Sequence, residues 1–378
     1  METLDAREAP EAQGAPVTLR QRFRGCLLGG AVGDALGAPV EFLSHSEIVG
    51  RFGAGGIRDY VPVYGRNGAI TDDTQMTLFT AEGLLRGHVC GQTRGLGSYG
   101  VTIDHAYLRW LETQGYQAPI PIGRDGCLWL ITGLHSTRAP GRTCLSALKS
   151  KQAFGDVAQN DSKGCGGVMR VAPVGMFGWH HRATPGSGKE VFRLGAQAAG
   201  LTHGHPSGQW PAGVLALLVM RCLDGIPLRE SLMEAKAILI EQPGHEETLA
   251  CIVMAERMAA SGGNPGAQDV EKLGGGWVAE EALAIAIYCA LVAGDFEEGI
   301  VLAVNHGGDS DSTGAIAGNL LGALLGDGAI PPRWIIPLEL ARVTSEIADD
   351  LYEYPSWDLG DEAQHSDGNR IWMRYPGW

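Results

Sequence analysis

Glycines and alanines recur at three- and four-residue spacing in two stretches of this 378-residue chain, and this pattern limits how it can fold. Both stretches also carry apolar residues at helical period, although a glycine inside a helix costs roughly 0.5–1 kcal/mol relative to alanine. Small residues on one helix face let a neighbouring backbone approach closely. Asp34, Asn319 and the short apolar runs favour such packing in a soluble core over a membrane dimer. The small residues are Gly25, Gly29, Gly30, Gly33 and Gly37 in one stretch and Gly314, Ala317, Gly318, Gly322 and Ala323 in the other.

Helical periodicity extends over most of the chain, whereas the period-two patterns typical of strands are rare and short. The sequence therefore predicts a mostly α-helical protein of one large domain or two, with Gly-rich joints and no fixed-period repeat. Residues 1–16 are polar and acidic, and we expect them to form a disordered tail. The predicted helical stretches are 23–36, 71–85, 104–114, 125–135, 190–201, 208–223, 228–240, 246–260, 278–293, 296–304, 312–325 and 333–353.

The composition excludes several classes of protein. A formal net charge of -14 argues against nucleic-acid binding, which normally needs a basic face. The eight cysteines are scattered without a CxxC motif, which argues against a zinc ribbon or a thioredoxin-type site. The N-terminus lacks a signal-like segment, and no apolar run is long enough to span a bilayer. We expect a soluble, cytoplasmic protein that does not associate with membranes.

Two acidic clusters lie far apart in the sequence, at 70–74 and 307–313. Each combines aspartates with hydroxyl residues where a helix is predicted to begin. Such aspartates often only cap the helix. Hard oxygen ligands of this kind nevertheless suit Mg²⁺, Mn²⁺ or Ca²⁺ better than zinc. Four aspartates brought together would repel one another unless a cation or water screens them. The sequence therefore predicts one metal site shared by both clusters, provided that the fold brings them together.

The second cluster resembles two other known motifs, but the sequence fits neither of them. The segment 309–313 matches the DxDxT of phosphatases of the haloacid dehalogenase type, but only about 65 residues follow, without the alternating strands and helices of that class. The EF-hand pattern holds as far as Gly314 at its sixth position. It fails at the twelfth, where Leu320 replaces the required glutamate.

A Gly-rich segment at 161–170 is the third informative feature. Successive glycines let backbone N–H groups converge on an anion, and Lys163 could add positive charge. The spacing fits neither a Walker A loop nor a dinucleotide fingerprint. Cys165 is predicted to be a structural or pocket-lining residue rather than a nucleophile, since no neighbour in the sequence activates it. We expect His203 to contact the ligand and His306 to support the backbone near the metals.

Together these segments resemble the ADP-ribosylglycohydrolases, relatives of the glycohydrolase that reactivates dinitrogenase reductase. The resemblance covers most of residues 20–345, and the motifs keep the family's order. The matching motifs are Gly25-Cys-Leu-Leu-Gly-Gly-Ala-Val-Gly-Asp34-Ala-Leu-Gly37 with Glu41, Thr71-Asp72-Asp73-Thr74, Lys163-Gly-Cys-Gly-Gly-Val-Met-Arg170-Val-Ala-Pro173, Thr202-His203, and Gly307-Gly-Asp309-Ser-Asp311-Ser-Thr313-Gly-Ala-Ile-Ala-Gly318.

The resemblance implies a single domain over residues 17–378, folded as an all-α orthogonal multi-helix bundle, with two Mg²⁺ ions in a cleft and Mn²⁺ as a possible substitute. Glu41, Asp73 and Asp309 are the expected catalytic residues. The expected metal ligands are Thr71, Asp72, Asp73, Asp309, Asp311 and the hydroxyl of Ser312. The expected substrate-binding residues are Ser162, Lys163, Gly164, Cys165, Gly166, Gly167 and His203.

One departure from the family leaves the general base open. Some members carry an Asp-Ile-Gly-Asn-Thr segment whose aspartate is a proposed base, and the nearest segment here is Ala139-Pro-Gly-Arg142-Thr143. Cys165 also replaces an asparagine that is common in the family. The base is therefore expected among Glu41, Asp72, Asp73, Asp309, Asp311 and Asp125.

The resemblance implies an Mg²⁺-dependent hydrolase that removes ADP-ribose from modified protein side chains and so reverses ADP-ribosylation. We favour arginine-linked ADP-ribose, an N-glycoside, over serine-linked ADP-ribose and free ADP-ribosyl metabolites. An ADP-ribosyltransferase, for example a toxin, would supply the modified protein and is a candidate partner. The alternative function is an immunity-type or pseudoenzyme binder that sequesters such a transferase. The intact set of four aspartates argues against that alternative.

Overall fold

Helices form the architecture of this computed structural model, which describes residues 16–95, 97–360 and 367–377. Within these ranges there is no β-strand, only two isolated bridges, so the expected all-α fold is confirmed. The predicted tail lies outside the described residues except for Pro16. The helices are α1 Leu19–Gly37, α2 His45–Phe52, α3 Asp72–Arg94, α4 Tyr99–Thr113, α5 Arg142–Lys149, α6 Ala172–Trp179, α7 Ser187–Gly200, α8 Pro206–Leu223, α9 Leu228–Leu239, α10 Glu246–Ala260, α11 Ala267–Val270, α12 Ala279–Val292, α13 Phe296–Val304, α14 Ser310–Leu325, α15 Pro332–Ile335, α16 Ala341–Glu353 and α17 Asp367–Arg374.

Most of the predicted helices are present, and the prediction fails in two places. Residues 125–135 form turns and one short 3-10 helix, because Gly126 takes a left-handed conformation (φ +95°) and Arg86 holds the Asp125 carbonyl and carboxylate. The predicted helix at 333–353 breaks between α15 and α16, where Leu340 has a positive φ of 56°. The short helices α2, α5, α6, α11 and α17 were not predicted.

The two small-residue stretches pack against each other as antiparallel helices, α1 and α14. Their backbones are so close that a Cβ added at Gly33 would lie 1.9 Å from the Gly314 carbonyl oxygen. A Cβ at Gly318 would lie 2.0 Å from the Gly29 carbonyl oxygen. The side chain of Asn319 donates a 2.8 Å hydrogen bond to a carbonyl of α1. The expected close helix packing is thereby confirmed. No helix in the described part of the chain is both long and apolar enough to cross a membrane.

The C-terminal end of α1 and the N-terminal ends of α3 and α14 lie close together. Gly37, the last residue of α1, is so close to Ser310 that an added Cβ would lie 2.3 Å from its carbonyl oxygen. Asp34, one turn earlier on α1, is fully buried and binds the start of α3. Its carboxylate accepts hydrogen bonds from the backbone N–H groups of Thr71, at 3.0 Å, and Thr74, at 3.1 Å. The first turns of α3 and α14, which carry the two acidic clusters, are therefore both fixed to the end of α1.

A short segment, 274–279, connects the Gly-rich loop to the second acidic cluster. Carbonyl groups of this segment accept hydrogen bonds from the backbone N–H of Cys165 at 3.2 Å and of Asp309 at 2.8 Å. Its last residue donates a backbone hydrogen bond of 2.8 Å to the carbonyl of Lys163. These bonds place the Gly-rich loop beside the start of α14.

Candidate active site

Both acidic clusters line one cavity of about 350 Å³ at the meeting point of these helix ends. Of the sequence-predicted residues, Ser162, Lys163, Gly167 and Thr71 are not among those that form its wall. The lining residues are Glu41, Phe42, Asp72, Asp73, Ala139, Pro140, Gly141, Arg142, Thr143, Cys144, Gly164, Cys165, Gly166, Met169, His203, Trp277, Asp309, Asp311 and Ser312.

Three carboxylates in this cavity form a tight group. Glu41, Asp309 and Asp311 each offer an oxygen within 4.8 Å of the other two, and all three residues are buried. Glu41 lies in the turn after α1, while Asp309 and Asp311 lie at the start of α14. The close contact of α1 with α14 therefore brings together residues that are about 270 positions apart in sequence. In the described residues this is the one group of three or more such side chains that meets the distance condition.

The first acidic cluster borders the tight group from α3. Asp72 is fixed by the segment 138–141, because its backbone N–H donates to the Arg138 carbonyl at 3.2 Å and its Oδ2 accepts from the Gly141 N–H at 3.0 Å. Asp73 Oδ1 is buried and has no hydrogen-bond partner in the structure. The Thr71 hydroxyl lies 3.4 Å from the other oxygen of Asp73. Asp73 thus presents an unused oxygen beside the carboxylates of α14.

Burial and mutual repulsion make ionisation of these carboxyl groups unfavourable. Burial first, and then the neighbouring charges of Asp311 and Asp309, raise the pKa of Glu41 to about 10. Burial likewise raises the pKa of Asp72 and of Asp73 well above the ordinary value, with Asp311 adding to both shifts. A set of buried carboxyl groups of this kind is stabilised in its charged form by a nearby cation.

The donor atoms in the cavity suit a hard divalent cation. They are carboxylate and hydroxyl oxygens, and Glu41 Oε2 and Asp73 Oδ1 are buried without a partner. Oxygen donors of this type are the usual ligands of Mg²⁺ and Mn²⁺. The hydroxyl of Ser312 is 3.8 Å from the Met169 sulfur and also interacts with Asp309 and Cys165, so it lies within the same group of donor atoms. The residues present therefore fit the expected ions.

The Gly-rich loop forms another part of the cavity wall. Its residues 165–167 make a 3-10 turn, and Cys165 donates its thiol hydrogen to Asp309 Oδ2 at 2.7 Å. Burial first, and then the charge of Asp309, raise the pKa of Cys165 well above its ordinary value. Cys165 is therefore a protonated thiol that orients Asp309, which agrees with the expectation that it is not a nucleophile.

Lys163 lies outside the cavity wall. Its ammonium group is 2.9 Å from Glu247 Oε2 and 2.9 Å from Glu280 Oε1. Ser162 instead touches the cavity wall through a 3.0 Å hydrogen bond between its hydroxyl and that of Thr143. The positive charge of Lys163, which we expected to contribute to anion binding, is therefore already paired with two carboxylates.

The two predicted histidines occupy different places. His203 lines the cavity, and its Nδ1 is 2.8 Å from the Thr202 hydroxyl. Burial lowers the pKa of His203 to about 3, so its imidazole is neutral. His306 is behind the second cluster, where its Nε2 is 2.9 Å from the hydroxyl of Thr313 in the first turn of α14. Asp125, a candidate base, binds Arg86 at 2.8 Å and does not line the cavity.

Sequence reasoning missed four residues that shape the site. Asp34 fixes the start of α3, as described above, and its position as a lone acid among small residues was an available signal. Phe42 and Trp277 stack at the cavity wall with ring centroids 5.7 Å apart, although both are exposed. Arg142 lines the cavity from the first residue of α5. No spacing rule connects these last three positions in the sequence.

Comparison with known proteins gives a consistent result. A family model described as ADP-ribosylglycohydrolase matches residues 15–359. The solved structure of an ADP-ribosylglycohydrolase-related protein complex is similar with a TM-score of 0.64 and 30% identity, covering 89% of this chain and 98% of that chain. The ADP-ribosyl-[dinitrogen reductase] glycohydrolase of Rhodospirillum rubrum is 25% identical, over 87% of this chain and 94% of its own length. An ADP-ribosylarginine hydrolase of Pseudomonas putida is 24% identical, over 89% of this chain and 80% of its own.

Proposed function

This chain belongs to the ADP-ribosylglycohydrolase family and is a hydrolase that removes ADP-ribose, and on that premise we propose its substrate and its cofactor. The proposed substrate is a protein that carries ADP-ribose on arginine side chains. The proposed cofactor is a pair of divalent cations, Mg²⁺ or Mn²⁺. The observation that carries the proposal is the convergence of Glu41, Asp309 and Asp311 within 4.8 Å, beside Asp72 and Asp73. The name of the Pseudomonas putida relative supports the arginine linkage.

Oxygen atoms from both acidic clusters would hold the cations. Bound divalent cations orient hydroxyl groups of a sugar and lower the pKa of a coordinated water molecule. The unpartnered oxygen of Asp73 supports this assignment. The proposed ligands are Thr71, Asp72, Asp73, Asp309, Asp311 and Ser312.

The buried carboxylates supply the remaining chemistry of hydrolysis. Cleavage of the bond between C1 of the distal ribose and the arginine nitrogen leaves positive charge on the sugar ring. Carboxylates fixed in a buried cleft stabilise such charge as it develops. Asp309, which Cys165 orients, and Asp73, whose Oδ1 is unused, are the proposed groups for this task.

Two proton movements accompany the reaction. The attacking water loses a proton as its oxygen bonds to C1, and the departing nitrogen gains one. Glu41 is the proposed carrier, because its Oε2 is buried in the cleft without a hydrogen-bond partner. Burial and the neighbouring carboxylates raise the pKa of Glu41 to about 10, which favours the protonated carboxyl when no cation is bound.

Release of ADP-ribose from defined carriers tests the proposal. Wild-type protein would be incubated with arginine-linked and with serine-linked ADP-ribosyl protein, each with Mg²⁺, with Mn²⁺ and with a chelator. We expect release from the arginine-linked carrier, and loss of release with chelator and in Glu41→Gln. Glu230→Gln, on the exposed surface of α9, is the matched control and should be fully active.

Two results would contradict parts of the proposal. Release only from the serine-linked carrier would refute the arginine assignment while keeping the hydrolase. Tight binding of an ADP-ribosyltransferase, with no release from any carrier under any cation, would favour sequestration over catalysis.

A further inference from the structure

We propose that Arg142 binds the diphosphate of the ADP-ribosyl substrate, a role that nothing in the family motifs assigns to it. The inference rests on the proposed function, since it concerns the same cleft. In this proposal Arg142, at the start of α5, supplies the positive charge that the sequence suggested for Lys163.

The charge of the cleft is the first argument. Five carboxyl groups line the cavity, and within the described residues Arg142 is the only lysine or arginine among the lining side chains. His203 adds no charge, since burial lowers its pKa to about 3. A diphosphate entering this cavity therefore meets repulsion from carboxylates, except where cations or the Arg142 guanidinium offset it.

The position of Arg142 is the second argument. It lies between two neighbours that each contact a different part of the site. Gly141 donates its N–H to Asp72 Oδ2 at 3.0 Å, on the side of the acidic clusters. The Thr143 hydroxyl is 3.0 Å from that of Ser162, on the side of the Gly-rich loop. Arg142 therefore borders both the carboxylates and the loop whose backbone is suited to an anion.

The availability of its guanidinium is the third argument. Arg142 is exposed and makes no hydrogen bond or ion pair with any other residue that the structure describes. Lys163, by contrast, is held by Glu247 and Glu280 at 2.9 Å each. Binding a phosphate through Lys163 would require breaking these pairs, whereas Arg142 is free to bind one directly.

The chemistry of arginine matches this ligand. A planar guanidinium offers parallel N–H donors that fit two phosphate oxygens, and such charge-assisted bonds are stronger than neutral ones. Gly141 and Arg142, at the start of α5, both line the cavity, and this helix end has no side-chain cap, so its positive end borders the same region. A lysine at this position would supply the charge without the paired donors.

Calorimetry with three ligands would test the role of Arg142. ADP-ribose, ADP and adenosine would be titrated into wild-type protein, Arg142→Gln and Arg142→Lys at matched Mg²⁺. We expect Arg142→Gln to bind ADP-ribose and ADP about tenfold more weakly, as for loss of one charge-assisted contact. Arg142→Lys should lose less, and adenosine should bind all three proteins equally because it has no phosphate.

Kinetics on the modified protein would provide a second readout. We expect Arg142→Gln to raise KM by a similar factor while kcat changes little, since the side chain binds substrate away from the bond that breaks. Arg342→Gln, 92% exposed on the side chain and on α16, is the matched control and should behave as wild type.

Three outcomes would overturn the inference, and each is distinguishable from failure of the proposed function. Unchanged affinity of Arg142→Gln for ADP-ribose and ADP would exclude contact with the diphosphate. Unchanged ADP-ribose affinity with a raised KM for modified protein would assign Arg142 to an acidic group of the carrier. Equal loss for adenosine would show a general structural effect. In all three cases the wild type still releases ADP-ribose; if it released none, the proposed function itself would fail.

Discussion

Replacing Gly33 by alanine tests whether the contact between α1 and α14 stabilises the protein and positions the site. The new Cβ would lie 1.9 Å from the Gly314 carbonyl oxygen, which is about 1.6 Å short of the roughly 3.5 Å at which dispersion attraction is optimal. The obstacle is backbone, so no side-chain rotation relieves it and the helices must move apart. Overpacking typically costs about 1–3 kcal/mol, while alanine gains roughly 0.5–1 kcal/mol in helix propensity. We therefore expect a net loss of about 1–2 kcal/mol in the free energy of unfolding.

Gly91→Ala is the matched control, because Gly91 lies inside α3 and an added Cβ would meet nothing within 4 Å. It should stabilise the protein by about 0.5–1 kcal/mol. Urea denaturation of both variants, followed by far-ultraviolet circular dichroism, would measure the difference. Gly33→Ala should also weaken stabilisation by Mg²⁺, since separation of the helices moves Asp311 away from Glu41. A variant at Gly33 as stable as the one at Gly91 would refute the argument.

Three further predictions concern the cleft. Asp309→Asn should abolish ADP-ribose release and reduce the Mg²⁺-induced rise in melting temperature, since a ligand that binds only the native state stabilises it; turnover near that of wild type would contradict its assignment. His203→Ala should weaken ADP-ribose binding in calorimetry while leaving Mg²⁺ stabilisation intact, and equal affinities would make it a purely structural residue. The metal-free protein should lose stability as pH rises, because the folded state raises the pKa of Glu41 from 4.5 to about 10 and that of Asp34 from 3.8 to about 7, so it keeps protons that the unfolded chain has lost. Melting temperatures in chelator between about pH 5 and pH 9 would show this fall, and added Mg²⁺ should flatten it.

The sequence allowed the long helices and the nature of the site to be predicted, because both depend on local patterns. Helical periodicity located α3, α8 and α14, and the acidic clusters indicated where two helices begin. The periodicity predicted a helix at 125–135 that does not form, because contacts of Asp125 with Arg86 from α3 replace helical hydrogen bonds there. Such contacts leave no local signal.

Which residues line the cleft also depends on the fold rather than on local sequence patterns. The small residues predicted close packing, but their spacing did not identify α1 and α14 as partners. Arg142 and the stacked pair of Phe42 and Trp277 reach the cavity through turns whose direction only the structure shows. The binding of cations stays a prediction.

The pairing of α1 with α14 also has a consequence for biosynthesis. During translation, α1 emerges long before Leu325, the last residue of its partner helix. At about 5–20 residues per second, the 273 positions from Gly37 to Ser310 correspond to roughly 14–55 seconds of elongation. Throughout that interval the small-residue face of α1 has no partner, and closing so long a loop is slow. The nascent chain therefore completes this cleft late, only after α14 has been synthesised.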